Sequence, residues 1–559
     1  MKRYKRSGYL VGAALATSLV LTACTDDSDV DGGDAGDNGD TGEDVEDGED
    51  DGEDEGDGET AGEPQEGGDF MISMAGEPQS MDPHGSNDNP SAKARTLMYE
   101  TLVTQDPETL EIETEGLAES YEQTDDDTFV FELREGVNFH NGEELTADDV
   151  VATFERVLEE ERASEAAFLF EMIDNIEAVD EYTVEFTTEF PFAPLPAHLA
   201  HNAAGIMSEA AIEEEEEGED LNLDTEGVGT GPFVFEEWNQ GSSLTFHKNE
   251  DYWGDNAYLD SVTFEIIDEN LTRIGRLENN ETHVADDVEP ALVDQVEALE
   301  DATLMSGPSL SMTYVSFNTQ EEPFDDPLVR QAITMAVDNE VLVEGIYEGY
   351  GEPAYGPIND LVFGYNEDLD ELGYDPEEAQ ELLAEAGYED GFETTLWTNN
   401  ESPMREQTAE LIQDQLADIG VDVSIQNVEW GAYLDQTAEG EHEMFILGWN
   451  TVTADADYGM YSLFHSDNHG APGNRSFYEN EEVDELLEEA RQEDDEEARE
   501  ELYGEIQEIL VEEAPMIYTV FDDVRAGVSD SVQNLIHHPN DTYDLSETYI
   551  TEEAEGGGY

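Results

Sequence analysis

Thr128-Phe129-Val130-Phe131-Glu132-Leu133 alternates apolar and polar residues, the period of a half-buried strand. It continues as Arg134-Glu135-Gly136-Val137-Asn138-Phe139-His140-Asn141-Gly142. It then reaches Leu145-Thr146-Ala147-Asp148-Asp149-Val150-Val151-Ala152-Thr153-Phe154. Thr146 can cap a helix, and the two aspartates fall in its first turn, where the helix dipole favours negative charge. A strand therefore leads to a helix within about twenty residues.

The same alternation recurs outward from this stretch. Phe70–Met74, Tyr182–Phe186, Leu244–Phe246 and Phe392–Leu396 read as strands. Asp326-Pro327 opens a helix with Val329, Ala332, Ile333 and Ala336 at helical spacing. Tyr374-Asp375-Pro376 opens another through Leu382 and Leu383, and Gly387 ends it. A helix through Ala409, Ile412, Leu416 and Ile419 stops at Gly420, and the strand Val421–Ile425 follows. Met444-Phe445-Ile446-Leu447 is wholly apolar and reads as a strand buried on both faces. The fold class is α/β, and residues 69–559 are enough for two or three domains.

The start of the chain reads differently. Met1-Lys2-Arg3-Tyr4-Lys5-Arg6 is basic, an apolar stretch runs to about Leu21, and Leu21-Thr22-Ala23-Cys24 resembles a lipobox. Cys24 is the only cysteine. Residues 1–23 thus read as a lipoprotein signal peptide, with Cys24 as the lipidation site. Residues 24–68 read as an acidic, disordered tether, because Asp, Glu and Gly there leave almost nothing apolar to bury. The mature chain is then expected on the outer face of the cell membrane, or in the periplasm where an outer membrane exists.

Acidic residues number 145 against 18 basic ones, for a formal net charge of −127. Nothing could neutralise phosphates, so nucleic acid is excluded as a partner. Self-repulsion on this scale is relieved by salt, which implies a saline, halophilic habitat.

Five blocks in order identify the chain as resembling a family. They are Ser80-Met81-Asp82-Pro83-His84, the Leu133–Val150 stretch above, Gly229-Thr230-Gly231-Pro232-Phe233, Tyr252-Trp253, and Pro323-Phe324-Asp325-Asp326-Pro327-Leu328-Val329-Arg330-Gln331-Ala332. They resemble the extracytoplasmic solute-binding proteins of peptide-type ABC importers, which include dipeptide, oligopeptide, nickel and glutathione binders. Gly391–Trp397 and Gly448–Tyr458 look most like the glutathione type.

The resemblance implies a periplasmic-binding-protein-like fold of type II, a Venus flytrap of two α/β lobes with an extra subdomain in the first. The expected division is 69–112 for the first part of lobe I and 113–224 for the inserted subdomain. Lobe I resumes over 225–310, lobe II covers 311–515, and 516–559 returns to lobe I. The implied function is capture of short peptides for import, with permease and ATPase subunits as partners and no enzymatic activity. A surface peptide sensor or a nickel or haem binder are the alternatives on this scaffold.

A peptide is zwitterionic, so its site needs a carboxylate for the amine and an arginine for the carboxylate. In dipeptide and oligopeptide binders a carboxylate a few residues after the Gly-Trp pair holds the amine. Here that position is Val452, and Asp455 or Asp457 could replace it. Arg405 and Arg475 are the candidate carboxylate clamps. Trp397, Trp430, Trp449 and Tyr458 are candidate cleft aromatics, Trp449 foremost.

Other motifs fail. His442-Glu443 lacks the second histidine of a zincin, since Ile446 stands four residues on. Gly307-Pro308-Ser309-Leu310-Ser311 lacks the closing glycine of a nucleophile elbow. His537-His538 reads as a surface pair. No cofactor or metal is called for.

The lipobox reading predicts that Cys24→Ala releases the protein from the membrane fraction or leaves it unprocessed. Fractionation and mass measurement of the mature chain check this. Normal processing with unchanged membrane retention would refute it.

Overall fold

A computed structural model of the chain describes residues 64–551, apart from 108, 160–161, 163, 219–220, 400–401 and 472. Cys24, the signal segment and the acidic stretch to residue 63 lie outside the described residues. The described end of that stretch is tied down: Gly67 donates to the Tyr258 carbonyl and Gly68 to Asp260. Among the described residues no helix is long and apolar enough to cross a membrane.

Most of the strands read from the sequence join one large mixed sheet, while Thr128–Leu133 and Thr183–Thr188 belong to a separate one. Along the sheet run Val421–Val428, Phe392–Asn399, Met444–Asn450, Ala302–Phe317, Met516–Ser529, Val284–Asp286, Asp69–Met74, Ser261–Ile266, Ser243–Lys248 and Phe233–Asn239. Gly351–Pro353 pairs separately with Met516–Ser529. The two longest strands, Ala302–Phe317 and Met516–Ser529, lie antiparallel at the centre and belong to both lobes. At one end they pair with lobe II through Met444–Asn450, and at the other with lobe I through Val284–Asp286. Their register shifts between Pro308 and Met312. Pro308 has no N–H for the ladder. Ser309 instead donates its hydroxyl to the Asp522 carbonyl at 2.6 Å, and Arg525 pairs with Asp522 at 2.7 Å.

In lobe II Phe392–Asn399 pairs in parallel with Val421–Val428 and Met444–Asn450, and helices cover these strands. Asp326 caps the helix Pro327–Met335, and Asp375 caps Pro376–Glu385. Gly387 and Gly420 both take the positive φ that ends a helix, at +93° and +89°. Met444, Phe445 and Ile446 are completely buried between neighbouring strands, as a wholly apolar strand requires.

The inserted subdomain is a four-stranded antiparallel sheet in the order Ala118–Asp125, Thr128–Leu133, Thr183–Thr188 and Ile173–Asp180. The helix Ala147–Val157 covers it. Thr146, read as the cap from the sequence, stands at the helix start and donates its N–H and hydroxyl to Asp149. On the buried face Phe154 meets Phe186 and Phe170 edge-on, with centroids 5.2 and 5.1 Å apart.

The last turn of that helix fastens the subdomain to lobe I. Arg156 grips Asp82 through two hydrogen bonds, at 2.9 and 2.5 Å, and also pairs with Glu215 at 2.9 Å. Burial alone would raise the Asp82 carboxyl, but the Arg156 hydrogen bonds and charge outweigh it and hold its pKa down to about 2. A carboxyl depressed in the fold stabilises fully above its ordinary pKa, and that stability is lost as pH falls toward the depressed value.

Asp82→Asn should therefore cost at least about 2 kcal/mol at neutral pH, because the buried Arg156 loses its closest carboxylate and keeps only Glu215. Urea unfolding at pH 7 and pH 2 checks this. The gap between the variant and wild type should narrow as pH falls from about 4 to about 2. A gap independent of pH would show that the pair is not what the substitution removes.

Candidate ligand-binding cleft

The lobes enclose a cavity of about 790 Å³. The lobe I wall is built from the helix Asn89–Arg95, the chain following it to Gln105, residues 200–202 and the loop 538–546. The lobe II wall is the end of the strand Met444–Asn450 with Val452, Tyr458 and Arg405, and Ser311 on the crossing strand closes the back. The lobes already touch across it. Tyr458 lies 5.4 Å from Trp449 on its own lobe and 6.0 Å from both His201 and Phe168 opposite. Asn87 donates to the Tyr458 hydroxyl at 3.5 Å, and Gln105 to the Thr453 carbonyl at 2.6 Å.

Arg405 sits in the first turn of the helix Pro403–Asp418, where Ser402 accepts its N–H and Pro403 fills the first helical position. Its guanidinium lines the cavity beside Gly448. A Cβ at 448 would lie only 3.0 Å from Arg405 Nη2, so the glycine leaves the room that the side chain takes. Among the described residues every other arginine makes a side-chain hydrogen bond or ion pair, and Arg405 makes none.

Trp449 and Tyr458 line the cavity with Arg405. The other residues singled out in the sequence lie elsewhere. Arg475 donates to the Leu434 carbonyl at 2.6 Å and to Thr437 at 2.9 Å, pinning the helix Trp430–Ala438. Asp455 caps the helix Ala456–Phe464 and is held by both terminal nitrogens of Arg499, at 2.7 and 2.6 Å. Asp457 pairs with Arg491 at 2.9 Å and faces His198 of the subdomain at 3.4 Å. Trp397 is packed in the lobe II core, and Trp430 stacks on Tyr433.

Val452 does line the cavity, so the position has no charge to offer an amine. The carboxylates of the cleft wall are on lobe I. Glu100 accepts from Thr230, Tyr252 and Trp253 at 2.7, 2.7 and 2.8 Å. Burial raises its pKa, and these donors offset only part of the rise. Asp544 stands near Tyr252 and accepts from the Ser546 N–H. Glu100 falls between the quoted blocks Ser80–His84 and Leu133–Val150 and carried no signal of its own.

The His537-His538 pair is not on the surface as expected. The His537 side chain is buried, stacks on Tyr543 at 4.4 Å and bonds to Asp541 at 2.7 Å, while His538 lines the cavity. Asp286, His537 and Asp541 converge as a metal site would. The Lys93 ammonium is already there, 2.8 Å from Asp286 and 3.0 Å from Asp541, so the cluster is a buried ion-pair network.

Two lobes spanned by a pair of shared strands, with one cavity between them, define a solute receptor of the periplasmic-binding-protein class. The family model for bacterial extracellular solute-binding proteins, family 5 (Middle), matches residues 114–471, and the chain belongs to that family. It is 34% identical to the dipeptide-binding protein of Escherichia coli (strain K12) over 452 residues, covering 76% of this chain and 84% of that one. It is 31% identical to the glutathione-binding protein GsiB of Pectobacterium atrosepticum over 87% of this chain and 94% of the relative. The Helicobacter pylori periplasmic binding protein DppA, solved in complex with the peptide STSA, superposes with a TM-score of 0.77 at 33% identity. That match covers 87% of this chain and 99% of the other. The first two are named for the solutes they bind, and the third as a periplasmic binding protein associated with an ABC transporter.

Gly448→Ala should cost little stability, because the tighter contact is with the end of a long side chain that can swing, and the Met312 carbonyl at 3.3 Å needs only a small shift. It should weaken solute binding by about tenfold or more, since the displaced group is Arg405. Thermal melting and calorimetric titration separate the two effects. Unchanged affinity would mean that the position of Arg405 does not matter to the solute.

Proposed function

We propose that the protein is the lipid-anchored, extracytoplasmic receptor of an ABC importer for short peptides. It captures a peptide between its lobes and delivers it to permease subunits driven by ATPase subunits inside the cell. The relatives just described, named for dipeptide and glutathione binding, support the peptide class. The Gly448–Tyr458 resemblance favours glutathione-like peptides within it, and the lipobox ending at Cys24 supports the anchor.

The observation that carries this reading is Arg405. It is a cation in the cleft wall with no counter-charge, in a protein where acidic groups outnumber basic ones 145 to 18. A side chain left unpaired amid such an excess suits a ligand's carboxylate. Glu100 and Asp544 on the opposite wall suit its amine, in place of the carboxylate absent at Val452.

Truncating one partner of a desolvated charge pair costs about 2–5 kcal/mol in binding. Arg405→Ala should therefore weaken a free-acid peptide by about 30-fold or more, and C-terminal amidation should weaken wild type to a similar degree. Arg475→Ala should keep the dependence on the free carboxylate, because Arg475 is committed to the helix Trp430–Ala438. Calorimetry on folded variants decides. Binding of Arg405→Ala within about threefold of wild type would place the clamp elsewhere.

A further inference from the structure

The lobe I wall carries a second cationic group that the peptide reading does not use. Arg95, at the end of the helix Asn89–Arg95, is 1% exposed and lines the cavity. Its Nη1 is spent on the carbonyls of Asp82, Pro83 and Ser86, at 2.9, 3.2 and 2.9 Å. Its Nε and Nη2, which together form the side-on edge of a guanidinium, have no partner. That edge offers the two parallel N–H groups that match a carboxylate. The nearby acids are committed elsewhere: Asp82 to Arg156 and Arg162, and Asp88 to capping the helix through Ser91.

The surroundings are donors as well. His201 is 4% exposed and lines the same cavity. Its Nδ1 accepts the Ala203 N–H at 3.1 Å, so in the neutral ring the proton is on Nε2, which has no partner. Burial, with Arg95 and His198 beside it, holds its pKa down to about 3 and keeps the ring neutral. Trp449 Nε1, on the lobe II wall of the same cavity, is also buried and unpartnered. The free acceptors in the cavity, Asn202 Oδ1 and Asn450 Oδ1, suit peptide N–H groups.

The geometry points to a second carboxylate subsite, formed by the side-on edge of Arg95 with His201 Nε2, distinct from the Arg405 clamp. The receptor then selects peptides that carry an acidic side chain. This rests on the peptide reading above and adds the substrate class. The preference runs against the charge of the protein as a whole, so local chemistry must produce it.

The test is a calorimetric comparison of matched tripeptides, alanine with one Glu walked through the three positions, each against its Gln twin at fixed salt. Wild-type full chain should bind the Glu member of at least one pair about tenfold or more tighter. Arg95→Met and His201→Phe should each cut that ratio below about threefold, with a smaller loss for the Gln twin. Arg95→Lys keeps the charge without the side-on edge and should also reduce the ratio, which covers the case that Arg95→Met fails to fold. Equal affinity for Glu and Gln at every position in wild type would overturn the subsite and leave the peptide reading standing. A ratio that survives in the folded variants would also overturn it. If no tripeptide binds at all, the peptide reading fails and the subsite with it.

Discussion

The antiparallel pairing of Ala302–Phe317 with Met516–Ser529 is the connection on which everything else hangs. Each strand leaves one lobe and enters the other, so the two half-sheets share a single hydrogen-bonded spine. A loop in its place would let the walls of the cavity drift independently, and a longer paired ribbon would fix them. The register shift at Pro308–Met312 interrupts the ladder between the two ends. Ser309 and Arg525 satisfy the backbone and the charge there without restoring regular pairing. The residues that rejected a nucleophile elbow in the sequence thus have a structural use, as the place where the spine changes register.

Scarcity of cations shapes the rest. A chain with 145 acidic residues has no shortage of carboxylates, so the position of each arginine decides which of them are neutralised. Arg156 neutralises Asp82 at the seam of the subdomain, Arg499 neutralises Asp455, Arg491 neutralises Asp457, and Lys93 sits between Asp286 and Asp541. These are interior sites, where an unpaired charge is costly and a paired one fixes geometry. The surface acids are left to the solvent.

The strands and helices with clear periodicity were legible: Thr128–Leu133, Met444–Leu447 and the proline-opened helices follow their patterns. The two outer strands of the subdomain, Ala118–Asp125 and Ile173–Asp180, were not. Both lie at a sheet edge and expose most of their side chains, so they carry no apolar alternation to read. The crossing strands were obscured by Gly307 and Pro308 within the first of them. For the cleft, residue type and neighbourhood marked Arg405, Trp449 and Tyr458, and equally marked Arg475, Asp455, Asp457 and Trp397, which the fold commits elsewhere. What separates the two groups is whether a partner from a distant segment arrives, as Arg499 does for Asp455 forty-four residues away. Arg95 and His201 lacked any signal, because their significance is the absence of such a partner.

The unpaired Arg405 also bears on the empty receptor. Tyr458 gives the two walls an adhesive aromatic contact with His201 and Phe168 that needs no ligand, so ring packing alone would favour shutting on nothing. Enclosing an uncompensated guanidinium works against that, because its hydration is lost and no carboxylate replaces it. On the reading proposed above, a cargo carboxylate removes that cost, so the balance between open and shut forms follows the supply of a counter-ion as well as the fit of the walls.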